Sequence, residues 1–149
     1  MSGALRAIPV GLLAGTCAAV VAWFLIGDVS PASDLADGIR AYDPPALPWP
    51  VGVLAGAGLV CCVAAVVRRW AVASPVALCV VAGLLVGWAG RVMTAASIGA
   101  NIGGGLMLLI GLPLSGILVL AAVVTALVLA RRSQRDARMS KPDPSATAM

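Results

Sequence analysis

The chain has 149 residues, of which 61% are hydrophobic and only 11% are charged, whereas a soluble domain carries about 25% charged residues. So little polar surface excludes a water-soluble globule and predicts a protein that is solvated by lipid. The formal net charge of +4 does not indicate nucleic-acid binding, because most basic residues lie beside the ends of apolar stretches or in the tail, where they set membrane topology.

Four apolar stretches are each long enough to cross a bilayer as a helix, since about 20 residues span its 30 Å hydrocarbon core. They cover residues 8–27, 51–67, 76–96 and 106–130. The first stretch is longer than the apolar core of a secretory signal, so we expect an uncleaved helix, although Ser30 and Ala32 could form a cleavage site. Pro113 predicts a bend in the fourth helix. The predicted fold is all-α, a bundle of four transmembrane helices within residues 1–130.

The segments outside the spans are polar or rich in glycine. Residues 28–49 form a predicted external loop, in which Ser33 could cap a short helix that Pro44 and Pro45 would end. Residues 99–105 predict a flexible turn before the fourth span. Residues 131–149 are rich in charge, Ser and Pro and have no apolar period, which predicts a basic tail that is disordered beyond its first turn or two.

The orientation follows from the basic residues. With the N-terminus in the cytoplasm, eight of the ten lie on the cytoplasmic side, and Arg40 and Arg91 alone lie outside, as the positive-inside rule requires. The prediction is a multi-pass protein of the cell membrane with both termini cytoplasmic. The high Ala, Val, Gly and Arg content is typical of a GC-rich bacterium.

The spans contain few side chains with reactive chemistry. They hold no His, Asp, Glu or Lys, and Arg91 is their only charge. Ionisable residues inside a membrane usually mark proton relays, ion sites or catalytic centres. The four cysteines contain no C-x-x-C pair that would indicate thiol–disulfide exchange. We therefore expect no catalytic residues, no metal site and no cofactor, and hence a protein that is not an enzyme.

Arg91 is the most informative single residue. It lies near the end of the third span, where its side chain could reach outward to the lipid headgroups. Alternatively, Arg91 could form a polar external vestibule or anion site together with Thr94, Ser97 and Asn101.

Pairs of glycines four residues apart recur in every span. Such a pair lies on one helix face and lets another backbone approach closely. The pairs are Gly11 with Gly15, Gly52 with Gly56, Gly83 with Gly87, and Gly99 with Gly103. They predict helix-packing faces, within the bundle or between molecules.

Two hypotheses about function follow. The first is a non-catalytic accessory, assembly or structural subunit of a membrane complex, whose partners are the lipid bilayer and another membrane protein or a second copy. The second is a small oligomeric channel or transporter that uses the polar vestibule around Arg91. Small size, glycine faces and the lack of reactive side chains favour the first.

Overall fold

The computed structural model describes residues 6–30, 43–68, 73–95 and 100–139, except for the side chains of Ala100, Asn101 and Arg138. These residues form helices α1 (Ala7–Ile26), α2 (Trp49–Val67), α3 (Ala73–Met93), α4 (Ala100–Leu106) and α5 (Leu112–Met139), and a π-helical turn (Met107–Gly111) joins α4 to α5. Four helical segments, α1, α2, α3 and Ile102–Ala137, are long and apolar enough to cross a membrane. The predicted all-α membrane fold is therefore confirmed.

The centre of the bundle is the pair formed by α1 and α3, which run parallel. Gly11 lies against Cys79, Gly15 against Gly83 and Ala19 against Gly87, at a constant offset along the two helices. Helix α2 packs on the other side of α1 and α5 packs on α3, whereas the contacts between α2 and α3 and between α1 and α5 are small. The bundle is therefore an open row of helices around one tightly packed pair.

Small side chains make up the buried core. Ala14, Ala18 and Ala126 are fully buried, whereas Leu25 and Leu109 are 80% and 77% exposed. This distribution suits a protein in lipid, because a large apolar side chain gains no free energy when it moves from the acyl chains into the protein interior. Helices in lipid associate instead through close contact of small residues. The large side chains then face the acyl chains.

The bounds of α3 differ from the predicted span. The helix begins at Ala73, so Pro75 lies inside its first turn, and it ends at Met93 rather than near residue 96. The Thr94 N–H donates to the Gly90 carbonyl at 3.2 Å and the Ala95 N–H donates to the Val92 carbonyl at 3.4 Å. The second bond spans three residues, which tightens the last turn and ends the helix.

The predicted distortion near Pro113 lies in the turn that precedes it. Residues Met107–Gly111 are π-helical, and the N–H of Leu112 donates to the carbonyl of Met107, five residues earlier. Proline has no N–H to donate to the carbonyl four residues back, and its ring crowds that carbonyl. The wider π turn accommodates this defect without breaking the helix.

The predicted flexible turn over residues 99–105 is wrong for residues 100–105, which belong to helix α4. A Cβ built on Gly103 would lie 3.1 Å from Cγ1 of Val92, and one on Gly104 would lie 3.3 Å from Cγ of Met93. The glycines thus let α4 dock closely on the end of α3. This tertiary contact outweighs the low helix propensity of glycine, which costs about 1 kcal/mol per residue relative to alanine.

The tail was predicted to be disordered beyond its first turn or two, and α5 continues slightly further than that, through residues 131–139 to Met139. Extending an existing helix adds one hydrogen bond per residue without a new nucleation cost. Arg, Gln, Ala and Met are also good helix formers. Residues 140–149, and the short helix predicted to begin at Ser33, lie outside the described residues.

Ser115 links α5 to α3 inside the bundle. Its hydroxyl is buried and lies 2.8 Å from the carbonyl oxygen of Gly111 and 3.4 Å from that of Ala82. We expect Ser115→Ala to lower the free energy of unfolding by only about 0.6 kcal/mol, the average for such bonds in membrane proteins. Thermal unfolding in detergent measures this change, and a loss as large as that expected for the α1–α3 interface would contradict it.

Candidate functional site

The Arg91 guanidinium holds the end of α3 against the end of α1. Its Nε donates a 2.6 Å hydrogen bond to the carbonyl of Trp23, and its Cζ lies 4.1 Å from the centroid of the Trp23 ring. Trp23 is in the last turn of α1, whose carbonyls have no partner within the helix. A positive charge there is also favoured by the helix dipole. Arg91 therefore caps α1 from a neighbouring helix.

Gly90 provides the space for this arrangement. A Cβ at Gly90 would lie 3.0 Å from Cζ3 and 3.3 Å from Cε3 of Trp23, so the indole rests directly on the backbone of α3. The contact between guanidinium and indole is a cation–π interaction, worth about 0.5–1 kcal/mol where exposed and about 2 kcal/mol where desolvated.

Thr94 is the other vestibule candidate whose side chain is described, and it also forms hydrogen bonds within the chain. Its hydroxyl lies 3.1 Å from the carbonyl oxygen of Gly90 and 3.3 Å from that of Arg91, so it satisfies the end of its own helix. Ser97 and the side chain of Asn101 lie outside the described residues. The predicted vestibule therefore stays a prediction, and the two described members both contact backbone carbonyls.

The two glycine pairs of α1 and α3 meet in one interface. A Cβ built on Gly11 would lie 3.1 Å from Sγ of Cys79, and one built on Gly15 would lie 2.7 Å from the Cys79 carbonyl oxygen. A Cβ on Gly83 would collide with the carbonyl of Gly15, and one on Gly87 would collide with the carbonyl of Ala19. The structure thus uses Gly11, Gly15, Gly83 and Gly87 inside the bundle.

The glycines of the other two predicted pairs differ in whether they contact a neighbouring helix. Gly52 lies under the ring of Phe24, whose Cδ2 would be 2.8 Å from a Cβ there, whereas a Cβ on Gly56 would have no neighbour within 4 Å. Gly103 packs on Val92. Gly99 lies outside the described residues.

Sequence reasoning missed Trp23 as the partner of Arg91, although a signal was present. On α1, Gly15, Ala19 and Trp23 follow at intervals of four, and on α3 Gly83, Gly87 and Arg91 do the same. Residues four apart lie on one helix face. Continuing the small-residue face by one turn on each helix therefore leads to Trp23 and Arg91.

A groove of about 300 Å³ follows the α1–α3 interface. Its walls include Leu12, Thr16 and Ala19 from α1 and Ala82, Gly83 and Val86 from α3. The Thr16 hydroxyl donates to the carbonyl of Leu12 at 3.0 Å, so the surface of the groove is almost wholly apolar.

The groove is bounded differently at its two ends. At the Pro75 end, Ala122 and Val123 of α5 join Leu12 and Cys79 around a small adjoining cavity of about 10 Å³. At the opposite end the groove is lined by Ala19 and Val86, and Trp23 and Gly90 lie one helical turn beyond these residues.

The cysteines lie in or near the packed interfaces. Cys62 and Cys79 are buried, Cys17 is half-buried, Cys61 is exposed, and all four are free thiols. Within residues 6–30, 43–68, 73–95 and 100–139, no group of three or more His, Cys, Asp or Glu residues is arranged to hold a metal ion.

Comparisons with known protein families, with curated proteins and with solved structures find no match to this chain.

Proposed function

We propose that this chain is a non-catalytic subunit of a membrane complex, with an accessory, assembly or structural role. The observation that carries the proposal is the use of its polar side chains. The guanidinium of Arg91 and four hydroxyls lie within hydrogen-bonding distance of backbone carbonyls of the same chain. The hydroxyls belong to Thr16, Thr94, Ser115 and Thr125.

A channel, transporter or membrane enzyme needs polar groups that face a solute or a water-filled path. Here Arg91 and Ser115 link neighbouring helices, and the hydroxyls of Thr16, Thr94 and Thr125 are bound to carbonyls of their own helices. The second hypothesis, a small oligomeric channel or transporter around Arg91, has less support because the Thr94 hydroxyl is bound within its own helix and Nε of Arg91 is bound to the carbonyl of Trp23. The experiment described below distinguishes this second hypothesis from the first.

The surface of α2 is the best candidate for contact with a partner. Gly56 has open space where its Cβ would be, and Val53 and Val60, which lie three residues before and four residues after it on the same face, are 60% and 68% exposed. A glycine in an exposed helix face permits close approach of another helix. The bundle itself does not use that space.

The test is to purify the full chain with a C-terminal tag in mild detergent and identify what accompanies it by mass spectrometry. We expect a stoichiometric membrane-protein partner that Gly56→Leu releases and Ala65→Leu retains, because Ala65 is also exposed and lies about 180° around the helix from residue 56. A homo-oligomer that conducts a solute, with flux lost in Arg91→Gln, would overturn the proposal in favour of the channel.

We further propose that the protein lies in the cell membrane with both termini in the cytoplasm. The support is the distribution of basic residues, eight to two in favour of the cytoplasmic side under this orientation. A fluorescent reporter fused after residue 149 should be active, and an alkaline phosphatase reporter inserted within residues 28–49 should be active in the periplasm. The opposite pattern would reverse the orientation.

A further inference from the structure

We infer that the α1–α3 groove together with Arg91 is a binding site for an anionic phospholipid, with one acyl chain in the groove and the phosphate at the guanidinium. This inference does not depend on the proposed function. It rests on the position of the groove and the Arg91 contact on the same faces of the two helices, on their combined length and on charge.

The groove and the Arg91 contact lie on the same faces of the two helices. Trp23 lies one turn beyond Ala19, which lines the groove on α1, and Gly90 lies one turn beyond Val86, which lines it on α3. The Trp23 ring rests on Gly90, and the Arg91 guanidinium rests on that ring. An apolar groove that could hold an acyl chain is thus aligned along the two helices with a cation that lies just over one turn beyond it.

The length of the site fits one leaflet of a bilayer. From Cys79, at the lower end of the groove, to Arg91 there are twelve residues, or about 18 Å at 1.5 Å per residue. One leaflet contributes about 15 Å, half of the 30 Å hydrocarbon core. A chain in the groove would therefore have its headgroup at the level of Arg91.

The charge selects the kind of lipid. Arg91 is the only charged residue in the predicted spans. Its side chain is partly exposed, and the hydrogen bond to Trp23 uses one of five guanidinium donors. The terminal amino groups present the planar fork that suits phosphate oxygens. A net negative headgroup is favoured over a zwitterionic one, which carries its own compensating cation.

The experiment is native mass spectrometry of the purified full chain after exchange into detergent containing equal amounts of phosphatidylglycerol and phosphatidylcholine. We expect one retained lipid with about fivefold preference for phosphatidylglycerol, the effect of one basic residue at an anionic surface. Arg91→Gln should abolish the preference and Arg91→Lys should keep most of it. Thr16→Phe, which fills the exposed wall of the groove, should reduce retention of both lipids.

Val60→Phe on the exposed face of α2 is the control for adding an aromatic ring to a lipid-facing position, and it should bind lipid as the unmodified chain does. If Arg91→Gln fails to fold, Arg91→Lys and Thr16→Phe still decide. Unchanged retention in Thr16→Phe, or an undiminished preference in a folded Arg91→Gln, would overturn the inference. So would the absence of any retained lipid, or binding of glycerol phosphate alone with the same affinity as the full lipid.

Discussion

Replacement of Gly83 by alanine is expected to lower the free energy of unfolding by roughly 2–3 kcal/mol, in the upper part of the range of about 1–3 kcal/mol that is typical of overpacking a close-packed interior. The added Cβ would collide with the carbonyl oxygen of Gly15. Because that atom belongs to the backbone of α1, it cannot move aside as a side chain would, and the two helices must separate. Thermal or denaturant unfolding in detergent, followed by tryptophan fluorescence, measures the loss.

Gly56→Ala is the matched control, since it makes the same chemical change in the middle of another span. A Cβ there meets nothing within 4 Å, so we expect no loss and a gain of up to about 1 kcal/mol from helix propensity. Equal effects of the two substitutions would mean that the close contact between α1 and α3 does not stabilise the bundle.

The second large loss in the free energy of unfolding is expected when the Arg91 side chain is removed. Arg91→Ala loses a hydrogen bond from a charged donor, worth about 1.5–3 kcal/mol, and a cation–π contact of about 0.5–2 kcal/mol. These contributions overlap, so the expected total loss is roughly 2–3 kcal/mol. Unfolding is measured in phosphatidylcholine nanodiscs, so that binding of anionic lipid adds nothing to the stability of the unmodified chain.

Trp23→Leu separates the two contributions, because it removes the ring and keeps the carbonyl that accepts from Arg91. We expect a double-mutant cycle of Arg91→Ala with Trp23→Leu to give a coupling of about 0.5–2 kcal/mol. Strict additivity of the two losses would contradict the observed stacking. Arg91→Lys should retain part of the stability through its charge, without the planar fork of arginine.

The positions of the spans were predictable because they depend on composition and length alone. Helices α1 and α2 lie within two residues of the predicted stretches, since an apolar run must be helical in lipid to satisfy its own backbone hydrogen bonds. The sequence predictions departed from the structure in segments outside the apolar runs, where backbone hydrogen bonding in lipid does not determine the conformation. Residues 100–105 were predicted as a turn and are helical because they dock on α3, and the ordered start of the tail extends further than predicted because α5 continues to Met139.

The sites were less predictable than the spans. The glycine periodicity identified surfaces that permit close approach, but Gly83 and Gly56 look alike in the sequence. One meets a backbone carbonyl and the other meets open space. Likewise, Arg91 was recognisable as unusual, while its partner Trp23 lies 68 residues away. Such pairings depend on which helices become neighbours, and the pattern of one helix does not contain that information.

The sequence by itself determined that this is an all-α membrane protein with four spans and one charged residue within them, because an apolar run of about 20 residues crosses lipid as a helix that satisfies its own backbone hydrogen bonds. The tertiary structure alone decided that α1 and α3 pair in parallel, that Arg91 caps α1, and that a groove opens beside their interface. The physical reason is that hydrophobicity places a helix in the membrane but does not distinguish one of its faces from another. Which helices pack against each other depends on close backbone contacts and on individual polar side chains.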